Sequence, residues 1–168
     1  MPRVFPLDGT SVAIALEADE REAMRRLVGE MRTFLTAEIP RQDAVRARLF
    51  PNAYEDEESE AGYREMVEAD LEQAKRAALD TVAQTLGDQD EDLEVALLPN
   101  EVQAWLTLLT DLRLSLGTRL EVTEEKMSAE IDAADPDGPA YAMLDWLGWF
   151  QESMLRYLDP EKQRLQEE

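Results

Sequence analysis

The side chains that could do chemistry in this chain are carboxylates and guanidinium groups set into two strongly apolar stretches. Asp111, Arg113 and Arg119 interrupt a leucine-rich stretch, while Asp145 and Glu152 interrupt a tryptophan-rich stretch further along. Neighbouring carboxylates can carry general acid–base catalysis without histidine. The same groups can instead form buried ion pairs that hold two helices together. Both interpretations stay open on the sequence alone.

Two absences limit the catalytic alternatives. The chain contains no cysteine and no histidine, which excludes a thiol nucleophile, a disulfide, a Cys/His zinc site and a Ser-His-Asp triad. An alternating run of three aspartates begins at Asp88, but Leu93 and Pro99 stand where a calcium loop needs glycine and glutamate. We therefore expect no metal, no cofactor and no catalytic residues. A small carboxylate-based enzyme is the one catalytic alternative that remains.

Charge is the strongest signal of the composition. Asp and Glu total 38 against 17 Lys and Arg, which gives a net charge of −21. Because nucleic-acid affinity comes largely from cations that neutralise phosphates, we expect no direct binding to nucleic acid or to anionic membrane. The acidic surface either keeps the protein in solution or binds a basic surface of another protein. With no apolar run of 18 residues and no signal peptide, a cytoplasmic location is expected.

The elements that position these residues form one mainly α domain. Residues 3–16 read as a hairpin around Asp8-Gly9, and residues 93–98 read as a third strand able to pair with it. Helices are expected over 19–39, 43–50, 59–86, 100–120, 123–131 and 140–158. We therefore predict a single domain over 1–158, with five to six helices and a small two- to three-stranded sheet. A frayed tail over 159–168 follows.

Helix faces and ends follow from the spacing of apolar residues and caps. An apolar stripe in the first helix comprises Met24, Leu27, Val28, Met31 and Leu35. Three arginines are expected on the solvent side of that helix: Arg21, Arg25 and Arg32. Gly87 is expected to end the helix that precedes it. Asn100 is expected to cap the helix that follows the third strand.

In the helix over 100–120, a helical wheel puts Trp105 on the same face as the leucines. Arg119 falls on that face too, whereas Asp111 and Arg113 lie to either side of it, about 200° apart. These two charges therefore cannot pair with each other, and each needs a partner from another element. Arg119 lies in the last turn, where the helix dipole favours a cation, and its head can reach a carboxylate. The alternative is that these charges line a polar pocket at one end of the bundle.

The last helix has two apolar faces of different character. A core stripe comprises Met143, Leu144, Leu147, Phe150, Gln151, Met154, Leu155 and Leu158. The opposite side comprises Trp146, Trp149, Ser153 and Tyr157. Asp145 and Glu152 lie between the faces as candidate partners for Arg113 or Arg119, and Glu152 is also spaced to pair with Arg156. Either the helix is central and packed on both sides, or its aromatic side is a surface for a partner or a homodimer.

Four segments of the chain resemble an actinobacterial family of oxidation-sensing transcriptional regulators, the AosR type, long described as a domain of unknown function. In chain order, they are "VAIALEADEREAMRRLV", "RLFPNAYEDEESEAGYREM", "WLTLLTDLRLSLGTRLEVTEE" and "LDWLGWFQESMLRYL". The resemblance implies a cytoplasmic regulator of the oxidative-stress response without catalysis. The usual gene neighbourhood of that family suggests, as an alternative, an adaptor or interaction protein linked to Clp proteolysis.

The resemblance transfers to this chain with two restrictions. Thiol-based redox sensing cannot operate because the chain has no cysteine. Direct DNA binding is not expected at a net charge of −21, and no basic recognition helix is present. We therefore expect regulation by contact with a protein that carries a basic surface, such as a component of the transcription machinery. The residues expected at the contact or at its structural support are Trp105, Asp111, Arg113, Arg119, Asp145, Trp146, Trp149, Glu152 and Tyr157.

Overall fold

The structure is a computed structural model, and it describes residues 1–40, 42–51, 62, 64–120, 136–159 and 161. The strands are β1 (Arg3–Pro6), β2 (Val12–Leu16) and β3 (Leu93–Ala96). The helices are α1 (Ala18–Thr36), α2 (Ala44–Leu49), α3 (Ala69–Leu86), α4 (Pro99–Arg119) and α5 (Gly138–Arg156). A π-helical turn over Arg64–Glu68 leads into α3. A mainly α domain with a small sheet, as the sequence predicted, is confirmed.

The three strands form one antiparallel sheet in the order β1-β2-β3. Ile14 of the central strand faces Val4 on one side and Val95 on the other. The predicted hairpin and its pairing with the third strand are therefore confirmed, although β3 ends two residues earlier than expected. Pro6, which cannot donate to a ladder, lies on the edge strand β1.

The hairpin turn is organised by Asp8. Its Oδ1 accepts hydrogen bonds from the backbone N–H groups of Thr10 and Ser11, both at 3.0 Å, and from both of their hydroxyls at 2.9 Å. The hydrogen bond from the Thr10 backbone is the largest of the causes that lower the pKa of Asp8 to about 2. Gly9 beside it takes a φ of 86°, which suits glycine. The predicted Asp-Gly turn is thus stabilised by the Asp8 carboxylate through these four hydrogen bonds.

Helix ends agree with the sequence at some positions and depart from it at others. Asp43 caps α2 by accepting from the N–H groups of Val45 and Arg46. Gly87 ends α3 with a φ of 63°, as predicted. The prediction of Asn100 as the cap of α4 is wrong. The helix already begins at Pro99, whose missing N–H costs nothing because a first-turn N–H has no partner within the helix. Glu101 accepts a hydrogen bond from the Leu98 N–H at 2.8 Å.

The core lies where α4 meets α2, α3 and α5, and the inner face of β2 closes it on one side. The largest fully buried side chains are Trp105, Phe150, Ile14, Leu16, Met24, Leu79, Leu86, Leu97, Leu108, Leu109, Leu147 and Met154. Within the described ranges, no helix carries an apolar stretch long enough to cross a membrane. The predicted helix over 123–131, the start of the helix predicted from residue 59, and most of the predicted tail lie outside the described residues.

Candidate functional site

Asp111 is bound to a lysine of the neighbouring helix α3. The Lys75 Nζ lies 2.7 Å from the Asp111 Oδ1, and the two side chains are only 11% and 7% exposed. Burial raises the pKa of Asp111, against the lowering effect of the Lys75 ammonium. The expectation that Asp111 needs a partner from another element is met by α3 rather than by α5. This pair ties the middle of α3 to the middle of α4.

Arg113 does connect α4 to α5, but through an amide. Its Nη1 donates to the Gln151 Oε1 at 2.8 Å, and the Gln151 Nε2 donates to the Thr110 Oγ1 at 2.7 Å. The predicted partners of Arg113, Asp145 and Glu152, are wrong, because both lie on the exposed side of α5. Gln151 lies on the buried side that meets α4 and is therefore within hydrogen-bond reach of Arg113.

Gly148 makes room for the guanidinium of Arg113. A Cβ placed on Gly148 would lie 3.4 to 3.5 Å from the Nη2, Cζ and Nε atoms of Arg113. The Nε is buried and has no hydrogen-bond partner. The close approach at Gly148 is therefore made by an arginine lying against the helix, and one N–H of that arginine is unsatisfied.

Arg119 is exposed and has no ion-pair partner within the described residues. The expectation that its head reaches a carboxylate is wrong there. The residue instead borders a small cavity of about 40 Å³ between α1 and α4, whose lining includes Leu27, Phe34 and Leu116. Its place in the last turn of α4 puts a cation at the negative end of the helix dipole, which needs no specific partner.

Two of the three tryptophans lie inward. Trp105 is fully buried, stacks on Phe150 with ring centroids 5.6 Å apart, and donates from its Nε1 to the Thr85 Oγ1 at 2.9 Å. Trp146 meets the edge of Phe150 at 5.7 Å and donates from its Nε1 to the Glu20 Oε2 at 3.2 Å. Trp146 is thus half-buried and bound to α1, which favours, at this position, the alternative of a helix packed on both sides.

The other residues of the predicted aromatic side also differ from one another in exposure. Ser153 is buried and its hydroxyl donates to the Trp149 carbonyl oxygen at 2.8 Å. Tyr157 packs partly buried against the core. Trp149 is 40% exposed, and Leu155, expected in the core stripe, is 51% exposed. Because α4 covers a narrower sector of α5 than the apolar pattern suggests, Leu155 falls outside the contact.

One stripe of α5 is exposed along four turns, and it is called here the outer face of α5. It comprises Ala142, Asp145, Trp149, Glu152 and Arg156, with successive spacings of three, four, three and four residues. Within the described residues, neither Asp145 nor Glu152 forms an ion pair, so the predicted Glu152–Arg156 pair is wrong. An indole face with a carboxylate one turn away on each side is a chemistry that suits a guanidinium or ammonium group.

Sequence reasoning missed two buried charges. Arg21, expected in solvent, is 5% exposed and donates from its Nε to the Leu86 carbonyl oxygen at 2.6 Å and from its Nη1 to that of Glu91 at 3.0 Å. It thus binds a free carbonyl at the end of α3 and one in the loop that follows. For Lys75, the signal was present, because it stands four residues after Leu71 and four before the buried Leu79.

Comparison with known proteins identifies relatives of this chain. The profile of the family described as a domain of unknown function (DUF2017) matches residues 2–158. A Mycobacterium leprae protein named as a proposed oxidative stress regulator, AosR, is 27% identical over 128 residues. The match covers 68% of this chain and 58% of that relative, so the chain spans little more than half of the relative's length. No solved structure matches the chain significantly. The family resemblance predicted from the sequence is confirmed.

Proposed function

This chain belongs to the DUF2017 family, and we propose that it is a non-enzymatic regulatory protein that binds a basic protein surface through the outer face of α5. The name of the AosR relative supports a regulatory role in oxidative stress. In this chain, the regulation operates without a thiol switch, since no cysteine is present. The partner class that fits this role is a component of the transcription machinery, either RNA polymerase or a sigma factor.

The observation that carries the proposal is the position of Trp149. Its ring is 40% exposed while the other two tryptophans make inward hydrogen bonds. Asp145 and Glu152 lie one turn before and after it, and both are free of ion pairs in the described part of the chain. Tryptophan is enriched among the interface residues that dominate binding energy.

The charge of the whole chain supports a protein partner over a nucleic acid. At −21, the long-range field repels a phosphate backbone and attracts a basic surface. That attraction speeds the encounter and selects the sign of the partner, while the buried contact of the Trp149 ring would supply most of the affinity. Arg156 at the end of the outer face would then orient the partner, because it repels the same cations that the acids attract.

Two observations support the absence of catalysis in this proposal. Asp111 is held at 2.7 Å by Lys75 in the interior. Asp145 and Glu152 are exposed on the outer face of α5 and are separated from Asp111 by the buried side of that helix. A general acid–base pair needs both groups within reach of one substrate atom, and these carboxylates face different surroundings.

The direct test is a binding titration of the full chain against purified RNA polymerase and its sigma factors from the source organism. Trp149→Ala is expected to weaken binding by about thirtyfold or more, as truncation of a central tryptophan does. Leu98→Ala is the matched control, because Leu98 is also an exposed apolar residue but belongs to another element. Equal affinity of the two variants, or no binding by the wild type, would contradict the proposal.

A second arm tests the charge requirement. We expect Asp145→Asn together with Glu152→Gln to lower the association rate and to reduce its dependence on salt. Glu22→Gln, an exposed acid of α1, is the control that removes a like charge elsewhere. If both changes slow association equally per charge removed, then the total charge, and not the outer face of α5, determines recognition.

A further inference from the structure

A groove of about 570 Å³ runs between α2 and the second half of α4. Alanine, glycine and threonine make up much of its described lining, and these small side chains leave space between the two helices. The side chains and backbone that line it belong to Ala44, Ala47, Arg48, Arg113, Leu114, Gly117 and Thr118. The volume lies in the range of clefts that hold small molecules. This α2–α4 groove is on a different part of the molecule from the outer face of α5.

Among the described residues that line the groove, the charged ones are two arginines, in a chain that carries 38 acids. Neighbouring cations are neutralised locally: Arg46 pairs with Glu68, and Lys75 pairs with Asp111. Arg48 and Arg113 differ, because no carboxylate of the described residues pairs with either one. In a protein with so many acids, two arginines that line one groove without a carboxylate partner among the described residues indicate a place where an anion from solution can bind.

Arg113 is held in position before any ligand arrives. Gln151, only 8% exposed, accepts from its Nη1, and Gln151 is itself fixed by donating to Thr110. The guanidinium also lies against Gly148, and its buried Nε has no acceptor. A partly buried cation without a counter-charge is costly, and an oxyanion in the groove would supply the missing charge. Little side-chain freedom is lost when the ligand binds to a residue fixed in this way.

We propose that the α2–α4 groove binds a small organic molecule through an oxyanion, a carboxylate or a phosphate, held between Arg48 and Arg113. A guanidinium group matches both oxyanions through charge-assisted hydrogen bonds. The apolar part of the ligand lies against Leu114 and the alanines that line the groove. The helix ends nearby present carbonyls whose partial negative charge opposes an anion, so both arginines are needed. This site is independent of the function proposed above.

The test is an amide NMR titration of the full chain with sodium phosphate and with sodium citrate, at constant pH and about 0.1 M salt, which screens the overall charge. Titration to about 20 mM nearly saturates a site of millimolar affinity. We expect saturable shifts centred on the amides of Ala47, Gly117 and Thr118, while the amide of Ile14 in β2 stays unchanged. The tighter of the two anions identifies the group that the site prefers. Glycerol serves as the uncharged control.

Matched variants decide whether the groove is responsible. Arg48→Gln is expected to weaken binding at least about tenfold, and Arg26→Gln, an exposed arginine of α1, is expected to leave it unchanged. Arg113→Lys keeps the charge but removes the planar fork, and it is also expected to weaken binding. Should that variant fail to fold, Arg48→Gln alone carries the test. Absent or non-saturating shifts, or equal affinity of Arg48→Gln and Arg26→Gln, would overturn the proposal.

Discussion

The buried pair of Lys75 and Asp111 gives the sharpest prediction about stability, because its two halves are not equivalent. Burial raises the pKa of Asp111 in spite of an ammonium 2.7 Å away. The cost of removing the carboxylate from water therefore outweighs the attraction to Lys75. Replacing Lys75 by Met removes that attraction and leaves the cost. Replacing both residues by apolar ones removes the cost as well.

The expected magnitudes follow from that asymmetry. Lys75→Met leaves the Asp111 carboxylate, whose side chain is 7% exposed, without a counter-charge. We expect this change to lower the free energy of unfolding by about 3–5 kcal/mol at neutral pH. For a domain of this size, such a loss corresponds to a decrease in Tm of roughly 6–20 °C. The double variant Lys75→Met, Asp111→Leu is expected to stay within about 1 kcal/mol of the wild type or to exceed it.

The assay is urea unfolding of the wild type, both single variants and the double variant at several pH values. A carboxyl group whose folded pKa is raised contributes stability below its unfolded pKa and loses it as pH rises through its folded pKa. The penalty of Lys75→Met should therefore be largest at neutral pH and shrink as the pH falls toward about 4. A penalty that does not change with pH, or a double variant as unstable as Lys75→Met, would refute the reasoning.

Three further predictions concern the core, a buried cap and the hairpin. Trp105→Ala should lower the free energy of unfolding by about 3–5 kcal/mol in chemical denaturation, whereas Trp149→Ala should cost about 1 kcal/mol or less, because its ring is half in water. Arg21→Met removes the donor to the Leu86 carbonyl at the end of α3 and to the Glu91 carbonyl in the loop that follows. It should cost about 2 kcal/mol or more, against under about 0.5 kcal/mol for the exposed Arg26→Met. Equal costs would show that water replaces the arginine at the carbonyls. Asp8→Ala should be less stable than the wild type above the unfolded pKa of 3.8, and the difference should vanish as pH falls to about 2; a difference that persists at that pH would exclude the carboxylate as its source.

Local signals in the sequence were sufficient for the secondary structure. The Asp8-Gly9 pair and the stop at Gly87 each act within four residues, and both were predicted correctly. The error at Asn100 has a local reason too. Asn100, a good capping residue, lies one position after Pro99, which suits the first turn of a helix. The helix begins at Pro99 because the Glu101 side chain accepts a hydrogen bond from the N–H of Leu98.

The partners of the charged side chains could not be predicted in the same way. Arg113 is bound by Gln151 and Asp111 by Lys75 because of how α3 and α5 rotate about their axes when they pack on α4. A rotation of one residue position, about 100°, would exchange Gln151 for Glu152. Periodicity gives the width of an apolar stripe but not the part of it that a neighbour covers. For the same reason, the exposed Trp149 could be distinguished from the half-buried Trp146 only once the packing of α5 was known.

The central claim is that the outer face of α5 docks the partner, and 19F NMR of the chain labelled with 5-fluorotryptophan tests it most directly. Each of the three tryptophans gives one resonance, and Trp149→Phe assigns the one of interest. When the RNA polymerase component that binds is added to saturation, we predict that the Trp149 resonance shifts and loses its sensitivity to solvent, while that of the buried Trp105 stays unchanged. A Trp149 resonance that keeps its free position and solvent sensitivity in the saturated complex would contradict the account.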